Sequence, residues 1–564
     1  MRWLSQISLQ VFLFIPGIAF PQNLLPDSTK LRVESILSTR GEAYIALSAN
    51  VRKSFLAGIP DLTPDKQTDS LIYFYINSEQ FRMITDAGIE FRVFTAPSML
   101  APVRMAVSLD EVLSGQGYPT YQQYLDLMRQ FRDDYPELCK IDTIGYSVGG
   151  KLILAARIEK GNYIEGDRPL VFYSSTMHGD EVVGYSLMLM LINDILKNSV
   201  ESTQIASILD DLVVIINPLA NPDGTYFLSD TSLYGAIRGT LKPPANGIND
   251  LNRNFHDVRL GMSYTYSGLQ KENLEMVKYM EKYSPSLSAN FHTGAEVLNY
   301  PWDSWYPNER IHADNDWFIE ICRDYVDFAR SIDPSYLRLY PEGYVFGSVW
   351  YRISGGRQDF VTYNLRGREL TIELSEIKLP DVSQIPGFWV KNHSALINLI
   401  EKAGDGIFGT ISDSSEMESV AAKVEIPGYD THESHVYSHA ATGKFFRYLP
   451  EGNYNLQITA NGYRPKTIVS GVTKNQRTEL DIRLIPIHSE IRVKTVPGNH
   501  EIIIELIDDE SEVFFADLFD LSGRKVQEKI FIGNTGTIGG PMFHGIYILK
   551  VKSEHQVLSR LVFF

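Results

Sequence analysis

The most informative stretch in the central part of this chain is Pro169-Leu-Val-Phe-Tyr-Ser-Ser-Thr-Met-His-Gly-Asp-Glu181. It begins as a short apolar run, typical of a buried strand, and leads into the periodic apolar stretch Val182 to Leu196, which predicts a helix. His178 and Glu181 therefore lie in a strand-to-helix turn. In open α/β sheets, ligands bind at such turns, beside the carboxyl ends of the strands.

A third potential metal ligand closes another apolar strand, Ser286-Leu-Ser-Ala-Asn-Phe-His292. Two imidazoles and one carboxylate with an open fourth position are typical of catalytic zinc, whereas structural zinc sites are closed, usually by Cys. A His-x-x-Glu pair alone is weak evidence, and its plain alternative is a solvated turn. With His292, we expect His178 and Glu181 to hold one Zn²⁺ in the catalytic domain.

Further segments with their own chemistry follow this pair in a fixed order. They are Asn221-Pro-Asp-Gly224, Asp250-Leu-Asn-Arg-Asn-Phe255, Asn299-Tyr-Pro-Trp-Asp303, Tyr351 with Gly355-Gly356, and Thr371-Ile-Glu-Leu-Ser375. Together they resemble the zinc metallocarboxypeptidases, specifically the carboxypeptidase N/E-like branch, over roughly residues 117–487. The resemblance implies an α/β catalytic domain over 117–403, with a mixed sheet flanked by helices. The turn residues of Asn221–Gly224 are expected to position the loop that follows.

The resemblance assigns the general base and proton shuttle to Glu373, at the end of a β-branched strand. A carboxylate near a cation in a partly dry cleft suits both roles. Two other carboxylates are rivals. Glu369 is rejected because it lies deeper in the strand, and Glu376 because it falls beyond the strand end.

Arg238 best matches the cation that stabilises the developing oxyanion. It lies 12 residues before Asp250 (250 − 238), a longer gap than is usual in the family, so an insertion separates them. Arg259 is the nearest later rival outside the motif. The resemblance gives Asp250 the role of orienting the first zinc histidine through its other ring nitrogen.

Five residues are expected to bind substrate. Asn252 and Arg253 suit a free terminal carboxylate, because a planar guanidinium offers two parallel donors. Tyr351 matches the mobile tyrosine that caps the substrate in relatives. Asp303 and Gln358 match residues that line the specificity pocket in the N/E branch and favour C-terminal Lys or Arg, because a buried carboxylate stabilises a desolvated cation.

Composition narrows the class of partner. The formal net charge is −17, which argues against nucleic acid, since phosphate binding requires a basic surface. The charge serves solubility or attracts basic peptides. Two buried free thiols are the default expectation for Cys139 and Cys322, although the sequence leaves open whether they pair.

Both ends of the chain suggest export. Residues 1–22 read as a signal peptide, and no later run is long and apolar enough to predict a transmembrane segment. Residues 488–564 resemble the C-terminal sorting domain of the type IX secretion route of certain Gram-negative bacteria. The resemblance implies passage through the periplasm and across the outer membrane to the cell surface or medium, by contact with secretion machinery. Another binding β-sandwich is the alternative.

The remaining modules carry no catalytic motif. Residues 25–105 predict a small α+β domain placed like the prosegment of some metallocarboxypeptidases, and Ala96 to Gln116 reads as a linker. Residues 404–487 alternate with period two and predict a β-sandwich that resembles the transthyretin-like module of the N/E branch.

The sequence thus indicates a secreted zinc carboxypeptidase, in which a zinc-activated water and a Glu base remove C-terminal residues, chiefly Lys or Arg, from peptides and proteins. Three other functions stay open: a carboxypeptidase of different specificity, an enzyme acting on cell-wall peptides, and a non-catalytic surface peptide-binding protein.

Overall fold

The computed structural model describes residues 27–56, 58–60, 62–241, 250–487, 490–496, 500–507, 513–540, 543, 545–553 and 556–564. The predicted signal peptide, residues 1–22, lies outside these ranges. Within them, no helix combines the length and apolarity needed to cross a membrane. Cys139 and Cys322 are both free and buried, which confirms the default expectation.

The N-terminal unit is an antiparallel sheet with three helices, in strand order β2-β3-β1-β4. The Asn77 side chain and the Gln80 side chain cap the third helix reciprocally. The first helix is absent from the sequence analysis, because only Val33 and Leu37 of it are buried and the apolar stripe is narrow. The elements are α1 Asp27–Arg40, β1 Ala43–Ser48, α2 Lys53–Leu56, β2 Lys66–Gln67, β3 Leu71–Ile76, α3 Ser78–Asp86 and β4 Phe91–Phe94.

The central unit is built on an eight-stranded mixed sheet of order β11-β10-β12-β9-β7-β8-β6-β5. The strands β12, β9, β7 and β8 run parallel and are wholly buried. Burial on both faces explains the nearly continuous apolar sequences of β7 and β8. The strands are β5 Cys139–Tyr146, β6 Leu152–Ile158, β7 Leu170–Ser175, β8 Val213–Asn217, β9 Leu287–His292, β10 Ala295–Tyr300, β11 Tyr344–Phe346 and β12 Arg368–Ser375.

Helices flank this sheet, as the alternating pattern predicts. The first of them lies inside the stretch predicted as a linker, and its Val112 is buried in the core of the central unit. The helices are α4 Leu109–Leu113, α5 Tyr121–Asp134, α6 Val183–Asn198, α7 Thr203–Asp211, α8 Pro222–Thr225, α9 Lys271–Tyr283, α10 Asn315–Ile332, α11 Gly347–Trp350, α12 Arg357–Asn364 and α13 Ile385–Glu401.

Two sandwiches of β-sheets follow, each with a core shared between a three-stranded and a four-stranded sheet. The first contains β13 Gly406–Asp413, β14 Lys423–Glu425, β15 Val436–Tyr437, β16 Lys444–Arg447, β17 Gly452–Thr459, β18 Lys466–Val472 and β19 Arg477–Leu484. The second contains β20 Glu490–Val496, β21 Glu501–Ile507, β22 Val513–Phe519, β23 Lys525–Ile532, β24 Thr535–Gly539, β25 Ile546–Lys552 and β26 Val557–Phe563.

A buried ionic cluster joins the first sandwich to the central unit. Asp314 accepts hydrogen bonds from Arg368 of β12 (2.6 and 2.9 Å) and from Arg447 of β16 (2.6 and 2.8 Å). Arg447 also donates to Asp430 at 2.7 Å. Because these groups are almost fully buried, each depends on the others for compensation of its charge.

Candidate active site

Three side chains that the sequence analysis selected as metal ligands meet at one edge of the central sheet. His178 and Glu181 lie in the turn after β7, and His292 ends β9, the parallel neighbour of β7. Their ligand atoms lie within 4.8 Å of one another. Nδ1 of His178 is 3.0 Å from Oε1 of Glu181, and Nδ1 of His292 is 2.8 Å from Oε2 of Glu181. This buried donor set of two imidazole nitrogens and one carboxylate fits zinc.

The charges around the ligands favour an ionised Glu181. Burial alone would raise the pKa of this carboxyl, but His178, Lys378 and hydrogen bonds with both imidazoles hold it well below its usual range. Burial lowers the pKa of His292 to about 4, against the opposing effect of Glu181. A neutral imidazole and a carboxylate are the forms that bind a metal ion.

Glu373 of β12 pairs in parallel register with His292, so the proposed base stands one strand from a metal ligand. Burial and the nearby Glu181 carboxylate hold the pKa of Glu373 well above its usual range. Its Oε2 is buried and has no hydrogen-bond partner within the described part of the chain. The rivals differ in position: Glu369 is buried in an ion pair with Arg357, whereas Glu376 lies past the end of β12 and is exposed.

Arg238 lies beside the ligands, with its guanidinium held by two carboxylates. One terminal nitrogen donates to Oε1 of Glu181 at 2.8 Å, and Nε donates to Oδ2 of Asp250 at 3.1 Å. The other oxygen of Asp250 is 2.9 Å from Nε2 of His178. The rival Arg259 is exposed and pairs with Asp257 instead.

The Asn221 turn links the metal loop to the arginine loop. The Asn221 amide donates to the carbonyls of Met177, just before the first ligand, and of Gly239, just after Arg238. Its side-chain oxygen accepts from the amide of Gly224 and caps the short helix α8. This turn therefore holds two loops of the site together.

Arg253 lines the same cavity and is 5% exposed. One terminal nitrogen donates to its neighbour's carbonyl, that of Asn252, at 2.8 Å, and Nε has no partner among the described residues. Gly355 adopts a φ of +65°, and a Cβ there would lie 2.5 Å from the carbonyl oxygen of Arg253, so only glycine permits this approach. Tyr351 also lines the cavity, where burial and Glu373 raise the pKa of its hydroxyl.

Asp303 lines the cavity, and Gln358 stands behind it. The Gln358 amide donates to Oδ1 of Asp303 at 3.1 Å. Burial and the Asp359 carboxylate raise the pKa of Asp303 well above its usual range. A Cβ at Gly347 would collide with Oδ1 of Asp303, so the carboxylate needs a glycine beside it. No sequence motif points to Asp359 or Gly347, because both act through Asp303.

Side chains of the N-terminal unit enter the same cavity, which has a volume of about 1020 Å³. Thr63 accepts a hydrogen bond of 2.7 Å from Arg253. Asp65 lies 2.7 Å from the ammonium of Lys378, which is also 3.3 Å from Oε1 of Glu181. The sequence carries no motif for these contacts, since they depend on how distant segments dock.

Glu42, the residue before β1, also reaches the site. Its carboxylate accepts from the main-chain amide of Arg238 at 3.0 and 3.1 Å and from that of Gly239 at 3.2 Å. Burial and the charge of Asp180 raise the pKa of Glu42 to about 7, although these amides act in the opposite direction. Tyr75 of the same unit donates to Asp180 at 2.8 Å.

Known proteins resemble the chain over this unit. Residues 124–395 match the model of the zinc carboxypeptidase family, Peptidase_M14. Carboxypeptidase D of Anas platyrhynchos is 26% identical over 426 residues, which cover 73% of this chain and 30% of the relative. The catalytic chain of carboxypeptidase N of Rattus norvegicus is 28% identical over 422 residues, which cover 67% of this chain and 89% of the relative.

The chain therefore spans less than a third of the carboxypeptidase D that it matches. The structure of carboxypeptidase A from Helicoverpa armigera aligns at a TM-score of 0.46 with 17% identity, covering 65% of this chain and 98% of that one. The sequence match to the family model spans β5–β12 and includes His178, Glu181, His292 and Glu373. Residues 124–395 therefore form a Peptidase_M14 zinc carboxypeptidase domain.

Proposed function

We propose that the protein is a secreted zinc carboxypeptidase that removes single residues, preferentially Lys or Arg, from the C-termini of peptides and proteins. The observation that carries this proposal is one cavity lined by His178, Glu181, His292, Glu373, Arg253 and Asp303. In this proposal, the three ligands form the metal site, Glu373 is the base, Arg253 binds the terminal carboxylate, and Asp303 is the acidic group that recognises a basic side chain.

In this proposal, His178, Glu181 and His292 hold the zinc ion. When bound there, zinc polarises the scissile carbonyl and lowers the pKa of a coordinated water toward neutrality. Glu373 accepts the proton and later transfers it to the leaving amine. Its free Oε2 and its raised pKa favour a carboxyl that can hold a proton between these two events.

The terminal carboxylate of the substrate is assigned to Arg253, whose Nε is a buried donor without a partner in the described residues. An unpaired buried donor is costly, so an arriving carboxylate that accepts from it is favoured. Asn252 and the Tyr351 hydroxyl would complete this receptor. Arg238, already beside Glu181, is assigned to the negative charge that develops on the carbonyl oxygen.

Asp303 is assigned to the recognition of a basic side chain, with Gln358 orienting its carboxylate. A cation that enters this buried position loses its water and depends on the carboxylate for compensation. An apolar C-terminal side chain gains no such partner, so the site should favour Lys and Arg.

The proposed localisation of the protein depends on residues 1–22 and on the second sandwich. Residues 1–22 would direct export to the periplasm, and the second sandwich would act as the type IX sorting domain that contacts the secretion machinery. The first sandwich would act as the transthyretin-like module. Its buried Asp314–Arg447 contact with the central unit supports a role in folding.

Hydrolysis of matched peptides ending in Arg, Lys, Phe and Glu tests the function directly. The zinc-loaded protein should release the terminal Arg and Lys with the highest kcat/KM and should leave C-terminally amidated peptides intact. Zinc binding without release of any terminal residue would refute the enzyme proposal and favour a peptide-binding protein. Equal rates for Arg and Phe would refute the basic preference alone.

A further inference from the structure

The main-chain segment Gly235–Gly239, which carries Arg238, is held largely by the N-terminal unit and its following loop. Arg40 donates to the carbonyls of Gly235 and Ala236, both at 3.1 Å. The Ser98 hydroxyl donates to the carbonyl of Ala236 at 2.6 Å, and the main-chain carbonyl of Ser98 accepts from the amide of Gly235 at 2.9 Å.

The central unit supplies the other partners of this segment. The amide of Ile237 donates to the carbonyl of Gly224, and the carbonyl of Arg238 accepts from the amide of Gly179. The amides of Arg238 and Gly239, in contrast, donate to the carboxylate of Glu42, which belongs to the N-terminal unit. Two successive amides that converge on one carboxylate form an anion-binding arrangement.

We propose that Glu42 is a positioning residue, which fixes the main chain of Arg238 and thereby keeps its guanidinium beside the metal ligands. Glu42 is 3% exposed, so its loss leaves two buried amides without their acceptor. The guanidinium has its own contacts with Glu181 and Asp250, but these fix only the far end of a long side chain. The N-terminal unit is then part of the catalytic site as well as one of its walls. The inference rests on the proposed function and on the role of Arg238 in it.

The test compares Glu42→Ala and Glu42→Gln in the full-length chain with Glu79→Ala, which removes an exposed carboxylate from the same unit. Hydrogen exchange of the amides of Arg238 and Gly239 is the first readout and requires no turnover. It should accelerate at least about tenfold in Glu42→Ala, because a hydrogen bond to a charged group contributes about 1.5–3 kcal/mol. Glu79→Ala should match the unmodified protein.

Kinetics with a peptide ending in Arg is the second readout. Glu42→Ala should lower kcat by about 10- to 100-fold, below the 10²- to 10³-fold typical of deleting an oxyanion donor outright. KM and zinc content should change by less than about twofold, because Arg253 and the metal ligands are untouched. Glu42→Gln keeps one acceptor oxygen and should recover part of the loss.

A double-mutant cycle with Arg238→Ala separates positioning from general damage. If Glu42 acts through Arg238, adding Glu42→Ala to Arg238→Ala should lower kcat no further. Unchanged amide exchange in Glu42→Ala, a fully multiplicative double variant, or a gain in kcat/KM would each overturn the inference. If the unmodified protein binds zinc but hydrolyses no peptide, the proposed function fails, and amide exchange still decides whether Glu42 holds this segment.

Discussion

Replacing Asp303 by Asn should remove the proposed preference for basic C-terminal residues while leaving the fold intact. The carboxylate is 5% exposed, and its Oδ1 accepts a hydrogen bond from Gln358 that an Asn oxygen can also accept. The substitution therefore removes a charge with little change in shape. The nearby Asp359 carboxylate makes this removal easier still, because it repels the charge of Asp303.

The magnitude follows from the burial of Asp303. Removing one partner of a buried, hydrogen-bonded charge pair costs about 2–5 kcal/mol. Because the pKa of Asp303 is raised, part of the free energy of its attraction to a bound cation is used to ionise its carboxyl group. The lower part of this range therefore applies. At 1.36 kcal/mol per tenfold change, about 2–3.4 kcal/mol corresponds to a fall in kcat/KM of about 30- to 300-fold for peptides ending in Arg.

The pH dependence of the preference has a defined sign. Only ionised Asp303 attracts a cation, and its pKa is raised by burial and then by Asp359. The ratio of kcat/KM for a peptide ending in Arg to that for one ending in Leu should therefore rise with pH beyond the usual range of aspartate titration. In Asp303→Asn this rise should disappear.

Peptides that differ only in a terminal Arg, Lys or Leu provide the assay. Asp303→Asn should lower the Arg and Lys values and change the Leu value by less than about threefold. Glu376→Gln, which removes an exposed carboxylate lining the same cavity, is the matched control and should alter all three values by less than about twofold. Equal losses for Arg and Leu in Asp303→Asn would refute the recognition argument.

Three further changes test other parts of the molecule. Glu373→Gln should lower kcat by about 10²- to 10⁴-fold with unchanged zinc content, as expected for a general base, and a near-normal rate would exclude this residue from that role. Asp314→Ala leaves Arg368 and Arg447 buried without their shared anion and should lower the free energy of unfolding by about 3–5 kcal/mol in urea titration; a loss below about 1 kcal/mol would contradict the argument. Asp65→Asn removes the ion pair with Lys378 that ties down the loop carrying Thr63, which covers Arg253. It should lower KM by up to about tenfold, since a net hydrogen bond contributes about 1 kcal/mol. An unchanged or higher KM would show that the loop around Thr63 does not hinder the substrate.

The sequence selects the three potential metal ligands because each lies at the end of a recognisable apolar strand or in the turn after it. His178 and Glu181 are three residues apart in one turn, and His292 ends a strand whose apolar pattern is evident. Convergence at one edge follows when these strands lie parallel and adjacent, as β7 and β9 do. The assignment of Glu373 depends on the resemblance to a family, and its pairing with His292 is not predicted by the sequence, because strand order cannot be read from periodicity.

The contributions of the N-terminal unit could not be predicted in this way. Glu42 and Asp65 lie in a segment with no motif, and their partners are more than 190 residues away along the chain. Such contacts depend on docking between units, which is set by surface shape and charge rather than by local pattern. The stretch predicted as a linker also contains the short helix α4, whose Val112 packs into the core of the central unit.

The contacts of the N-terminal unit with the site have opposite consequences for activity. Thr63 engages Arg253, to which the proposed function assigns the terminal carboxylate of the substrate, so this contact would oppose binding. Asp65, two residues on, ties the same loop to Lys378. Glu42 instead accepts hydrogen bonds from the main-chain amides of Arg238 and Gly239, so in the proposed function this contact would support catalysis. Loosening the loop around Thr63 and removing the whole unit are therefore physically different events. The first frees the carboxylate receptor and leaves Arg238 fixed, whereas the second frees the receptor and also removes what holds the arginine.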